Sequence, residues 1–136
     1  MSLNQYQKRS VAVALRLLEK TLDDIEMLLA RDHQGLLYAV RTEISPDREA
    51  ELRRISGDVR AALAELAREY DLPIQQEDGL RVMSAKLSSA WENLEDSRPR
   101  KLRRYGSVDP EVAEVLEPQV EALIHMVLAM EKLTRS

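Results

Sequence analysis

Cysteine is absent from this 136-residue sequence, which excludes disulfide bonds and thiolate metal sites. Phenylalanine is absent too, aromatic residues make up 4% of the chain, and there are only 4 glycines. Strands favour aromatic residues and their connections favour glycine, so an all-β domain is not expected. Alanine, leucine, glutamate and arginine dominate instead, and this composition is typical of helices.

Long hydrophobic runs are missing as well. The longest, Ala122 to Met130, is interrupted by His125 and falls far short of the roughly 20 residues that span a bilayer. The N-terminal apolar patch is broken by charges and lacks a small-residue cleavage site, so no signal peptide is expected. With a net charge of −4, general attraction to nucleic acid or anionic lipid is also not expected. We therefore expect a cytoplasmic protein that does not contact membranes.

Apolar residues recur at spacings of three and four along most of the chain, which predicts amphipathic helices. The first covers residues 4–31. The second starts with a Ser45 cap followed by Pro46 and ends before Pro73. Inside it, Gly57 costs about 1 kcal/mol relative to alanine and predicts close approach by a neighbouring helix.

The third helix is predicted over residues 74–96. Pro99 either ends it near Ser97 or kinks it on the way to Tyr105. A fourth helix starts at Asp109 and Pro110, which repeat the cap and proline of the second helix.

Residues 32–45 fit both a strand and a helical face. A lone strand would leave its backbone groups unpaired, so we favour a short helical or irregular crossover. Its leucine and tyrosine side chains are expected to cover the end of a bundle. The resulting prediction is an all-α chain: one antiparallel, up-and-down four-helix bundle over residues 1–136, with this crossover and a proline-kinked or broken third helix.

The fourth helix is apolar on more than half of its circumference between residues 122 and 133. That is wider than a four-helix core requires, so either the crossover segment or a second subunit is expected to cover the surplus, and we favour the second subunit. We predict a homodimer. The candidate oligomer face is Ile124, Val127, Leu128 and Met130.

No catalytic, metal or cofactor site is expected. Helical metal sites commonly need Glu-x-x-His pairs on two helices, and neither His33 nor His125 has a glutamate three residues before it. Glu121 lies four residues before His125, which indicates a solvated surface pair. The glycines are too widely spaced for a phosphate-binding loop, and residues 63–84 resemble a helix-turn-helix only loosely, because Glu77 stands where an apolar residue is needed.

A basic stretch between the third and fourth helices is the strongest candidate contact site. The candidate residues are Arg98, Arg100, Lys101, Arg103, Arg104 and Tyr105. Such a cluster can bind phosphates or acidic side chains. Acidic residues flank it on both sides, however, and cations are favourable near a helix C-terminus, so we favour a structural role.

We expect a non-catalytic protein that works through self-association and a protein partner. The alternative is a nucleic-acid-associated regulator that uses this basic stretch, and the third hypothesis is a metal-binding or enzymatic bundle.

Overall fold

The computed structural model describes residues 2–135. Within them, the chain forms five α-helices, one short 3₁₀-helix and a two-stranded sheet. The predicted all-α class is therefore confirmed. None of these helices is long and apolar enough to cross a membrane.

The chain divides into two compact units, and the boundary falls between Gln75 and Gln76. Unit 1 contains α1 (Gln5–Ala30), β1 (His33–Gln34), β2 (Ala39–Val40) and α2 (Pro46–Glu69). Unit 2 contains α3 (Gly79–Glu95), α4 (Pro99–Leu102), a 3₁₀-helix (Arg103–Tyr105) and α5 (Pro110–Thr134). Each unit is thus a pair of long helices, α1 with α2 and α3 with α5.

In unit 1, α1 begins with a capping box, in which the Asn4 side chain accepts a hydrogen bond from the Gln7 backbone and the Gln7 side chain accepts one from the Asn4 backbone. The helix buries Ala12 and Leu22. Arg60 of α2 joins the two helices: its guanidinium lies 2.8 Å from Asp23 and also binds Glu26. The predicted bounds of the first helix are confirmed.

The connection between α1 and α2 is a small antiparallel β-hairpin, not the predicted helical or irregular crossover. The segment supplies its own pairing partner, because His33 pairs with Val40 and Gln34 with Ala39. The Gly35 backbone N–H closes the turn on the carbonyl of Tyr38, at 2.8 Å. Its leucines cover nothing: Leu36 and Leu37 are 97% and 92% exposed.

The second helix begins as predicted, with the Ser45 side chain accepting a hydrogen bond from the Arg48 backbone. It ends at Glu69, and Asp71 then adopts φ 50°, in the left-handed region that breaks a helix. The close approach predicted at Gly57 is wrong, because a Cβ atom there would meet nothing within 4 Å.

Gly57→Ala should therefore raise the free energy of unfolding of unit 1 by about 0.5–1 kcal/mol, since alanine loses less backbone entropy in a helix interior. Urea unfolding followed by circular dichroism measures the change. Gly35→Ala is the control within the same unit, because a Cβ atom there would lie 3.1 Å from the Tyr38 carbonyl oxygen, so this change should not stabilise unit 1. A neutral or destabilising Gly57→Ala would contradict the open space around this position.

The third helix starts five residues later than predicted, at Gly79, where the Asp78 side chain caps the Leu80 backbone N–H. It ends at Glu95. Pro99 then opens α4 as its first residue, and the 3₁₀-helix follows and stops at Gly106. Of the two predicted alternatives, the broken helix is confirmed.

The fourth predicted helix is α5, which the Asp109 side chain caps through the Glu111 backbone N–H. Val120 and Ile124 are its buried apolar residues. Throughout residues 2–135, the buried apolar residues are only Ala12, Leu22, Pro99, Val120 and Ile124. Each helix pair therefore has a thin core of its own.

Candidate functional site

Arg98 is the centre of a cluster of ion pairs in unit 2. It lies three residues after the end of α3, at the N-cap of α4, and is only 8% exposed. Its guanidinium lies 2.8 Å from Glu95 and 2.5 Å from both Glu117 and Glu121. The cluster thus joins the end of α3 to two successive turns of α5.

The cluster also changes the acidity of its members. Hydrogen bonds from Arg98 lower the pKa of Glu95, and at Glu121 the nearby His125 adds to the same effect. Hydrogen bonds to Glu95 and Glu121 in turn raise the pKa of Arg98. Each of these shifts favours the charged form, so the cluster is held together as ions.

Arg98 is therefore placed apart from the other candidate residues of the basic stretch, because its donors are directed at carboxylates of its own unit. The remaining candidates lie on α4 and the 3₁₀-helix and are all exposed. They are Arg100, Lys101, Arg103, Arg104 and Tyr105. We call them the basic segment.

The side chains of the basic segment are exposed to solvent. Tyr105 is 78% exposed, and the guanidinium carbon of Arg104 lies 5.1 Å from the centre of its ring, within the range of a cation–π contact. Arg100 approaches Glu95 at 3.7 Å, but its side chain stays 68% exposed. An exposed pair of this kind leaves the arginine able to exchange partners.

The surface of α5 divides into three faces. One packs in unit 2 and contains Val120 and Ile124. A second carries charged residues such as Glu114, Glu121 and Lys132. The third is exposed, uncharged and, apart from Gln119, apolar. We call it the open apolar face: Val112, Val115, Gln119, Ala122, Leu123, Met126, Ala129, Met130 and Leu133.

The open apolar face has no charged member and follows alternating spacings of three and four residues, the pattern that one helix presents to another. Its large side chains keep much of their surface in solvent: Val115 and Met126 are each 59% exposed and Leu133 is 85% exposed. A stripe of this kind marks a contact surface more often than an isolated exposed leucine does.

The structure distributes the four residues of the predicted oligomer face over different sides of α5. Ile124 is 3% exposed and lies in the interior of unit 2, and Val127 is partly buried. Leu128, 39% exposed, lies beside the charged residues. Only Met130, 56% exposed, belongs to the open apolar face.

Unit 1 has a groove of its own between α1 and α2, with a volume of about 430 Å³. Leu15, Leu63 and the Leu72–Ile74 segment are among its lining residues. Arg16 and Glu19 place charges at the same groove. A groove with apolar walls and a few charges at its edge is typical of a gap in helix packing. The residues that line it do not form a set of catalytic groups.

Histidine and acidic side chains are also the groups that could hold a metal ion. Across residues 2–135, no group of three or more histidine, cysteine, aspartate or glutamate side chains is arranged to hold a metal ion. Nε2 of His125 lies 2.9 Å from Glu121, whose other carboxylate oxygen binds Arg98. Glu121 is thus already engaged on both oxygens.

No protein-family model, curated protein or solved structure matches this chain.

Proposed function

We propose that this protein acts without catalysis, as a self-associating helical interaction protein, and that the open apolar face of α5 is its contact surface. The observation that carries the proposal is the continuous uncharged stripe from Val112 to Leu133. Water-exposed apolar area favours association in rough proportion to its extent.

The amount of exposed surface supports the same proposal. Two separate compact hairpins of half this chain length would together expose roughly 8,700 Å². The chain exposes 11,095 Å². Small helical units with thin cores commonly gain their missing stability from oligomerisation.

A four-helix bundle can arise from such an association. Unit 2 contributes two long helices, α3 and α5, and a second copy would supply two more. Such a dimer would give the fourth predicted helix the cover that its wide apolar circumference requires.

Met126→Glu should convert the dimer to a monomer, because it would place two charges in the buried centre of the contact. Sedimentation equilibrium at micromolar concentrations, with circular dichroism to confirm helicity, measures the change. Leu128→Glu is the matched control: it places the same charge on the charged side of α5 and should leave the dimer intact. A parent protein that stays monomeric would contradict the proposal.

The exposure of the basic segment supports a second candidate function, binding of nucleic acid by phosphate contacts. Replacing Arg100, Arg103 and Arg104 with glutamate should abolish salt-sensitive binding to DNA or RNA. The control is the triple change at Arg9, Arg31 and Arg68, exposed arginines that alter net charge equally. Fluorescence anisotropy at several salt concentrations measures both. Equal loss in both variants, or no binding by the parent at low salt, would contradict a local site.

A further inference from the structure

We propose that α5 pairs with α5 of a second copy in an antiparallel orientation, with the two-fold axis passing near Ala122. This inference rests on the proposed self-association and adds the orientation of the partner.

The partner that fits the open apolar face is a helix as long as the face itself. The open apolar face extends from Val112 to Leu133, about 31 Å along the helix axis. Its alternating spacings of three and four residues suit a second helix lying nearly parallel or antiparallel to the first. A second copy of α5 presents an apolar stripe of the same length with no charge in it.

Charges at the edge of the face select the orientation. Glu111 lies in the first turn of α5 and Lys132 in the last. They are three heptads apart, so both lie along the same edge of the open apolar face. In a parallel pair Glu111 and Lys132 lie at opposite ends of the contact and do not meet, whereas in an antiparallel pair each Glu111 faces a Lys132. Opposite charges at such positions set partner orientation, and like charges oppose it.

The helix dipoles favour the same arrangement. Antiparallel pairing places the positive N-terminal end of each α5 beside the negative C-terminal end of the other, while parallel pairing places like ends together. Matching Glu111 to Lys132 puts the symmetry axis near Ala122, the residue of the open apolar face nearest the midpoint between them. Its small side chain lets the two helices approach closely at the crossing point.

The absence of cysteine makes the test direct, because a single introduced cysteine has no competitor. Ala122→Cys should form dimers with a short bismaleimide cross-linker. Glu111→Cys alone should not, because two copies of this position lie about 30 Å apart in the antiparallel dimer. A mixture of the Glu111→Cys and Lys132→Cys proteins should cross-link to each other.

A dimer in which Glu111→Cys cross-links to itself would overturn the orientation and leave self-association standing. A dimer that cross-links at none of these positions would overturn the α5 contact. A parent protein shown to be monomeric by sedimentation would overturn both the orientation and the proposed function.

Charge exchange gives an independent readout. Glu111→Lys or Lys132→Glu should each weaken dimerisation roughly three- to tenfold at low salt, and the double variant should restore it. In a parallel dimer Glu111 and Lys132 do not meet, so neither single change removes a charge pair and affinity would stay constant. Glu92→Lys, an exposed charge reversal on α3, controls for net charge.

Discussion

Replacing Arg98 with methionine should lower the midpoint of thermal unfolding of unit 2 by roughly 10 °C. Methionine keeps much of the length of the side chain but leaves Glu95, Glu117 and Glu121 together without their cation. Removing one partner from a buried ion pair is costly because the remaining charges repel each other and are only partly hydrated. Tryptophan fluorescence measures the transition, since Trp91, the only tryptophan, lies in α3 of unit 2.

Arg100→Met is the matched control, two residues away. The Arg100 side chain is 68% exposed and reaches Glu95 only at 3.7 Å. Exposed pairs contribute little, so its midpoint should change by less than about 2 °C. Equal effects at the two positions would show that burial of Arg98 adds nothing to its ion pairs.

The pH dependence of Arg98→Met follows from the lowered pKa values of Glu95 and Glu121. In the parent, an unfolded glutamate titrates near its usual pKa of about 4.3 and binds protons that the folded cluster does not. The contribution of the cluster is thus complete above that pH and is lost as the pH falls toward the lowered folded values. The difference between parent and Arg98→Met should therefore shrink on acidification to about pH 3. A constant difference would contradict the ionic origin of the stabilisation.

Ile124→Ala should lower the free energy of unfolding of unit 2 by about 2–4 kcal/mol. Ile124 is 3% exposed, and truncation would remove apolar contacts and leave a cavity in a core that has few other buried residues. Urea unfolding followed by Trp91 fluorescence gives the change from the midpoint and slope.

Leu123→Ala is the control for Ile124→Ala. Leu123 is the neighbouring residue of α5 but lies on its outer face, so the two variants compare the stability contributions of the inner and outer faces. Leu123 is 48% exposed, so at concentrations where the protein is monomeric this variant should cost less than about 1 kcal/mol. At dimer-forming concentrations the same variant should weaken association. A larger loss of monomer stability from Leu123→Ala than from Ile124→Ala would contradict the assigned faces.

The starts of the first, second and fourth predicted helices could be predicted from sequence because their signals are local. Asn4, Ser45 and Asp109 cap helices by bonding backbone groups two or three residues away, and Pro46 and Pro110 stand at first helical positions. The hairpin at residues 33–40 could not be predicted from its alternating pattern alone. That pattern also fits a helix, and the turn depends on a backbone bond between Gly35 and Tyr38.

The candidate site was less accessible to sequence reasoning. Since α5 is apolar on more than half of its circumference, periodicity cannot tell that Ile124 faces inward and Met126 outward. The strict spacing from Val112 to Leu133 was the available signal. For Arg98, only Glu95 is close in sequence, while Glu117 and Glu121 come from later in the chain and meet it only after α5 has packed on α3.

The division of the chain into two helix pairs has a consequence for how the protein is made. In each unit the packed long helices follow one another along the chain, with 15 and 14 residues between them, so no contact within a unit depends on the other unit and folding is expected to be fast. Unit 1 can form its contacts once residue 75 has left the ribosome, before unit 2 has been synthesised. The open apolar face of α5 belongs to unit 2, so it emerges only after unit 1 and is exposed to aggregation for less time than the apolar surfaces of unit 1.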